Sequence, residues 1–121
     1  MTYPLSRAMS TATAVYGVYA LVRPRHLGRL LTSNGREQEA YDVLARTYGV
    51  RDLAISAIGV LGRSPKTVGA AMLMRIVMDL GDGTLLSVKA EDKDGRMKVL
   101  GATSTWAALN AVAWTVDRRR A

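Results

Sequence analysis

Charged side chains recur at helical spacing in an otherwise apolar part of this chain, and they are the residues that could do chemistry. Arg75, Asp79 and Asp82 follow one another at intervals of four and three residues. That spacing places all of them on one stripe of an α-helix. A carboxyl group in an apolar pocket is suited to proton transfer, and a guanidinium group orients an oxyanion or a carboxylate. The stripe therefore predicts an acid–base or binding site.

An upstream segment carries a second set of polar residues. Tyr48 and Asp52 share a stripe, Arg51 lies beside it, and Arg46 lies shortly before them. Setting Arg46, Arg51 and Arg75 against the carboxylates gives a neutral cluster, which a buried site requires because an unpaired buried charge is far more costly than a paired one. The candidate catalytic residues are the three carboxylates of this cluster: Asp52, Asp79 and Asp82.

A third stripe near the carboxyl end of the chain holds Thr103, Trp106 and Asn110. An amide inside a helix needs a partner, and we expect Asn110 to bond across the helices. Three interpretations of the polar stripes stay open: an ion-pair network that only fixes helix register, a site for a substrate, a lipid headgroup or a proton, and a solvated face on a soluble protein. The predicted binding residues are the cationic, aromatic and amide side chains of the stripes: Arg46, Tyr48, Arg51, Arg75, Trp106 and Asn110.

The chain lacks the side chains that hold most metals. It has no cysteine, so disulfides, thiolate metal sites and cysteine nucleophiles are excluded. The single histidine, His26, leaves no zinc or iron site of the usual kind, because such sites draw on several imidazoles or thiolates. We predict no metal and no cofactor.

Four apolar stretches separated by polar connectors indicate an all-α fold. The first covers 8–22 and ends before Pro24, and an amphipathic segment follows over 25–31. The second runs from about 36 to 61, and the third starts near 66, with Gly81-Asp82-Gly83 ending or kinking it. A polar loop over 89–98 precedes the last helix, 99–116. We predict one domain over 1–121: a four-helix transmembrane bundle with a short amphipathic segment after the first helix.

The membrane part of that prediction depends on composition. Phenylalanine is absent and small residues are abundant. Small residues let helix backbones approach closely, and helices in lipid pack in this way. The segment 99–116 has no charged residue. Against this stands a mean hydropathy of only +0.05. Inserting the three charges of the third helix into a membrane costs on the order of 8–10 kcal/mol, while the apolar residues of that helix return about 3–4 kcal/mol. In a membrane, these charges must therefore pair with others inside a bundle.

The predicted location is the cell's inner membrane, with several spans and with cytoplasmic termini, because three arginines lie at 118–120. We expect no cleavable signal, since the apolar run 8–22 leads directly into basic residues. The expected partners are the lipid bilayer, a second copy or another membrane protein, and a small lipophilic ligand. The net charge of +7 accompanies no recognisable nucleic-acid motif or dense basic helix, so no nucleic acid is predicted.

Two segments carry a family resemblance. The sequences RTYGVRDLA over 46–54 and RIVMDLGD over 75–82 resemble a domain-of-unknown-function family of short four-helix membrane proteins found in bacteria and fungi. The family shares Gly-x-Arg-Asp on its second helix and an arginine with downstream aspartates on its third. The resemblance implies a membrane bundle over nearly the whole chain and implies no activity. It marks as the first residues to test Arg51, Asp52, Arg75, Asp79 and Asp82.

No motif identifies a reaction, so several functions stay open. The first is a structural or binding subunit with a buried Arg/Asp network. The second is a membrane-embedded enzyme that performs acid–base chemistry on a small lipophilic substrate. The third is a dimeric small transporter, and the fourth a soluble basic protein that binds nucleic acid. An interior cavity that reaches the carboxylates would favour a ligand, and a closed interior would disfavour one.

Overall fold

Five α-helices and no strand make up residues 3–120, the part of the chain that the computed structural model describes. Positions 1, 2 and 121 of the predicted domain lie outside the described residues. The all-α class is confirmed. The helix count is five and not four, because the segment after the first helix is a helix of its own. The helices are α1 (Pro4–Val22), α2 (Arg25–Leu31), α3 (Gly35–Leu61), α4 (Pro65–Lys89) and α5 (Lys93–Arg120).

Two of the predicted breaks are wrong. Gly81-Asp82-Gly83 does not end the helix, since α4 continues to Lys89. The polar stretch 89–98 is mostly the start of α5, because polar side chains near a helix start can cap it: the Asp92 carboxylate accepts the backbone N–H of Gly95 at 2.7 Å. The connection between α4 and α5 is therefore only residues 90–92.

No helix within residues 3–120 combines the length and the apolar content that crossing a bilayer requires. The prediction of a multi-pass inner-membrane protein with cytoplasmic termini, and with it a transmembrane bundle facing lipid, is therefore wrong. The physical reason differs between helices. Charges interrupt α3 and α4, whereas the uncharged stretch of α5 is rich in alanine, threonine and serine, which contribute little hydropathy.

Helices α1 and α3 pack closely where two glycines meet. A Cβ atom on Gly49 would lie 2.7 Å from the carbonyl oxygen of Gly17, so any side chain there would separate the helices. Tyr16 of α1 neighbours this contact, and Asp52 of α3 lies one turn beyond it. The close approach of the two backbones therefore sets the distance between the two walls of the site described below.

Cross-helix contacts also cap helix ends. The Asp117 carboxylate of α5 accepts the backbone N–H groups of Leu5 at 3.2 Å and Ser6 at 2.6 Å in the first turn of α1. The Arg7 guanidinium donates to the carbonyl oxygen of Gly62, just past the end of α3, at 2.8 Å. These contacts tie together helices that are far apart in sequence.

The interior is unusually polar, and many large apolar side chains are exposed. Two small apolar clusters exist, one around Leu31 and Leu86 and one around Val68 and Met72. Along α4, the ionic residues lie between Met72 of one cluster and Leu86 of the other. Buried side chains outside the clusters are largely polar: Ser6, Ser10, Thr13, Asp52, Ser56, Arg75, Asp79, Asn110 and Asp117.

Candidate functional site

The centre of the site is Arg75 of α4, which is 4% exposed. Its Nη1 donates to Oδ1 of Asp52 on α3 at 2.5 Å, and its Nη2 donates to Oδ1 of Asp79 at 2.9 Å. Asp79 is one turn along the same helix, so that pair follows from the i, i+4 spacing. The structure thus brings together Asp52, Arg75 and Asp79 as predicted from the sequence.

Arg51 extends the network to a third carboxylate. It binds Asp82 of α4 with both Nη atoms, at 3.1 and 2.5 Å, and its Nη2 lies 3.3 Å from Oδ1 of Asp52. Such two-point contacts between a guanidinium and a carboxylate are among the stronger ionic hydrogen bonds. The same guanidinium lies over the ring of Tyr48, 4.6 Å from its centroid. A continuous chain of contacts therefore joins Tyr48, Arg51, Asp52, Arg75 and Asp79.

The predicted charge balance is wrong, because Arg46 is not part of this network. It is exposed on α3, and the carboxylate that its charge influences is Asp42. Asp42 is itself bound by Arg25, at 3.0 Å. The network consists of three carboxylates and two guanidinium groups, so it carries a net charge of −1 when all are ionised.

Asp79 is the carboxylate that the network leaves incompletely bound. Its Oδ2 is buried and has no hydrogen-bond partner. Burial, and to a smaller extent the negative charges of Asp52 and Asp82, raise the pKa of Asp79 to about 6 against the opposing effect of the Arg75 guanidinium. A carboxyl group with this pKa exchanges a proton near neutral pH, as a general acid or base must.

All five ionic residues of the network line one interior cavity of about 260 Å³. Tyr16, which is 44% exposed, and Ala102, which is also exposed, place one side of the cavity at the molecular surface. The cavity combines a charged floor with aromatic and aliphatic walls. Its lining residues are Thr13, Tyr16, Leu27, Tyr48, Arg51, Asp52, Arg75, Asp79, Asp82, Leu86, Ala102, Thr103 and Trp106.

Hydrogen bonds fix the aromatic walls. The indole Nε1 of Trp106 donates to Oγ1 of Thr13 at 2.9 Å. His26 Nδ1 lies 2.7 Å from the carbonyl oxygen of Arg23, which can only accept, so Nδ1 carries the proton. In the neutral ring, Nε2 then accepts the hydroxyl of Tyr16 at 2.9 Å. Burial, together with the negative charge of Asp52, raises the pKa of Tyr16 to about 12, so this hydroxyl stays protonated.

Asn110 does not reach the cavity. Its Nδ2 donates to the carbonyl oxygen of Trp106 in its own helix at 2.8 Å, and its Oδ1 is buried without a partner. The predicted bond across the helices is therefore not formed by these atoms. Of the residues on the third stripe, Thr103 and Trp106 line the cavity and Asn110 does not.

Sequence reasoning missed several lining residues. Tyr16 and Thr13 lie in the uncharged stretch 8–22 of α1, where nothing in the spacing distinguishes them from packing residues. Ala102 lies one residue before Thr103, and the polar stripe through Thr103 and Trp106 is the signal that could have found this wall. Leu27 and Leu86 read as ordinary core residues, and both also belong to an apolar cluster.

Together, the fold and the site define an all-α protein with a charged and aromatic interior cavity. Comparison of the chain with family models, with curated proteins and with solved structures finds no match. The resemblance to the family of short membrane proteins stays a prediction. Within the described residues, no group of three or more acidic or histidine side chains is placed to hold a metal ion.

Proposed function

We propose that this protein binds a small, largely apolar organic molecule in the interior cavity, with the polar end of that molecule on the ion-pair network. The observation that carries the proposal is the cavity itself, because all five network residues line it. A network that only fixed helix register would need no space beside it. Ligand sites in proteins have this composition: mostly apolar walls with a few convergent polar groups.

The size of the cavity limits the ligand. Its volume of about 260 Å³ is just below the range of about 300–1,000 Å³ that holds drug-sized ligands. An apolar cavity of about 150 Å³ already takes up benzene. A single ring with a short polar substituent therefore fits within it.

A pair of alanine variants tests the proposal. Ala102 lies on the rim of the cavity, and Ala108 is exposed on the same helix and does not line the cavity. Ala102→Phe should fill the entrance and abolish the binding of single-ring fragments, detected by ligand-observed NMR. Ala108→Phe should bind them like the unaltered protein. Equal binding by both variants, or no fragment binding to the unaltered protein, would contradict the proposal.

A second candidate function is acid–base catalysis on the bound molecule. The state of the Asp79 carboxyl group favours it. Asp79 lines the cavity and combines a raised pKa with a buried Oδ2 that has no hydrogen-bond partner. It can remove a proton from an acidic C–H bond of a ligand and return it. Incubation of a bound fragment in D₂O should then exchange that hydrogen, and Asp79→Asn should stop the exchange. Exchange at the same rate in Asp79→Asn would argue against catalysis.

A further inference from the structure

The cavity is lined by more negative than positive charges, and this imbalance indicates the charge of the ligand. Within residues 3–120, Asp52, Asp79 and Asp82 pair with Arg51 and Arg75, so three negative charges share two positive ones and the sum is −1. A cationic ligand would make the site neutral, whereas an anionic one would bring its net charge to −2. A buried charge without a partner is costly, so the imbalance favours a cation.

An unmade hydrogen bond marks the position of that cation. Asp79 is 7% exposed, and its Oδ2 is a buried acceptor that no donor reaches. An ammonium group has three donors and no acceptor, so it suits the Asp79 carboxylate, whose Oδ2 has to turn toward the cavity to meet it.

The walls of the cavity are suited to the same kind of ligand, a cation with an apolar body. Tyr16, Tyr48 and Trp106 supply aromatic rings, whose faces attract cations and whose bulk holds an apolar body. One of them already interacts with a cation in this way, since the Arg51 guanidinium lies over the ring of Tyr48. Aromatic rings arranged around a site are a recurrent means of binding organic cations.

From these observations we propose that the cavity selects a small organic cation, a protonated amine on a single-ring apolar body, with its ammonium group on the Asp79 carboxylate. The inference rests on the proposed function and adds the charge of the ligand. Any amine of this size and shape should bind, so simple amines can test the inference.

Three probes of matched shape test the charge preference: benzylamine as the cation, benzyl alcohol as the neutral compound and benzoate as the anion. In calorimetric titrations at pH 7.5, benzylamine should bind about tenfold or more tightly than benzyl alcohol, and benzoate should not bind. Equal or tighter binding of benzyl alcohol or benzoate would overturn the cation inference and leave the proposed function standing. Failure of all three probes to bind would contradict both.

A pair of aspartate variants tests whether the ammonium group binds the Asp79 carboxylate. Asp79→Asn keeps the shape of the side chain and removes its charge, so it should weaken benzylamine binding by roughly 10–100-fold and leave benzyl alcohol unchanged. Asp42→Asn removes an equal charge from an ion pair outside the cavity and should change neither affinity. An unchanged benzylamine affinity in Asp79→Asn would overturn the assignment.

The unaltered protein provides a test that does not depend on the folding of a variant. Protonation of Asp79 removes its charge, so benzylamine affinity should fall about tenfold between pH 7.5 and 5, while benzyl alcohol affinity stays constant. Helix α5 contributes no titratable group to the cavity, and α2 contributes only Leu27. A benzylamine affinity that does not change with pH would overturn the inference. The titratable and charged groups that line the cavity with Asp79 are Tyr16 of α1, Tyr48, Arg51 and Asp52 of α3, and Arg75 and Asp82 of α4.

Discussion

Arg75 of α4 and Asp52 of α3 form an ion pair across two helices, and each residue is only 4% exposed. The charges are hydrogen-bonded to each other in a region that water hardly reaches. A buried pair of this kind contributes little net stability compared with apolar packing, but the loss of one partner leaves the other charge buried and unpaired. The consequences of breaking the pair are therefore large and measurable.

Replacement of Arg75 by methionine keeps the length of the side chain and removes its charge. Asp52 and Asp79 then lose their shared partner, and we expect the free energy of unfolding to fall by about 3–5 kcal/mol, measured by urea denaturation. Arg46→Met is the matched control, because Arg46 is exposed and outside the network, and it should change stability by less than about 0.5 kcal/mol. Similar losses in both variants would show that the network is not the cause.

The pKa of Asp79 predicts how stability depends on pH. Its folded-state pKa of about 6 lies above the ordinary value of 3.8, so between these values the folded protein binds more protons than the unfolded chain. The free energy of unfolding should therefore fall as pH rises from 4 to 6.

Asp79→Asn removes this contribution, and carboxylates outside the network cancel when the two proteins are compared. The stability of Asp79→Asn relative to the unaltered protein should increase by up to roughly 3 kcal/mol between pH 4 and 7, in urea denaturation at each pH. A stability difference that does not vary with pH would mean that Asp79 titrates normally.

The sequence was sufficient for the parts of the site that depend on local geometry. Arg75, Asp79 and Asp82 could be placed on one stripe because helical spacing alone determines it. Their pairing with Arg51 and Asp52 followed from the need of buried charges for partners. Arg46 was wrongly assigned to the network, because the requirement of buried charges for partners does not determine which arginine faces the interior.

The cavity and its walls were beyond prediction for a different reason. Tyr16 lies in the uncharged stretch 8–22 of α1, and it comes close to α3 because Gly17 and Gly49 let the two backbones approach. Helix ends were also misjudged where local polarity was taken for a loop, as at the start of α5. The membrane prediction was wrong because it relied on small-residue content, while the apolar content of each helix is too low.

The contact between Gly17 and Gly49 gives a test of the helix packing. A Cβ on Gly17 would lie 2.9 Å from the carbonyl oxygen of Gly49, a backbone atom that cannot easily move. We expect Gly17→Ala to lower the free energy of unfolding by about 1–3 kcal/mol. Gly81→Ala, within α4 and with no atom within 4 Å, should instead raise it by about 0.5–1 kcal/mol. A stabilising Gly17→Ala would contradict the close packing of α1 and α3.

The Asp117 carboxylate gives a test of the contact between α5 and the start of α1. Asp117→Ala leaves the backbone N–H groups of Leu5 and Ser6 without their acceptor, and should cost about 1–2 kcal/mol in thermal or urea unfolding. Asp94→Ala is the control, since Asp94 forms an exposed pair with Lys98 and should cost at most about 0.5 kcal/mol. If the two variants were equally stable, Asp117 would not cap α1.

The most direct test of the interior ligand site uses the two tryptophan side chains. Trp106 lines the cavity, whereas Trp114 lies beside Gly69 and under the Arg118 guanidinium, away from it. In ¹H–¹⁵N NMR spectra, saturation with benzylamine should shift the indole N–H resonance of Trp106 and leave that of Trp114 in place. A shift of Trp114 alone, or no shift of Trp106 at saturation, would contradict binding in the cavity.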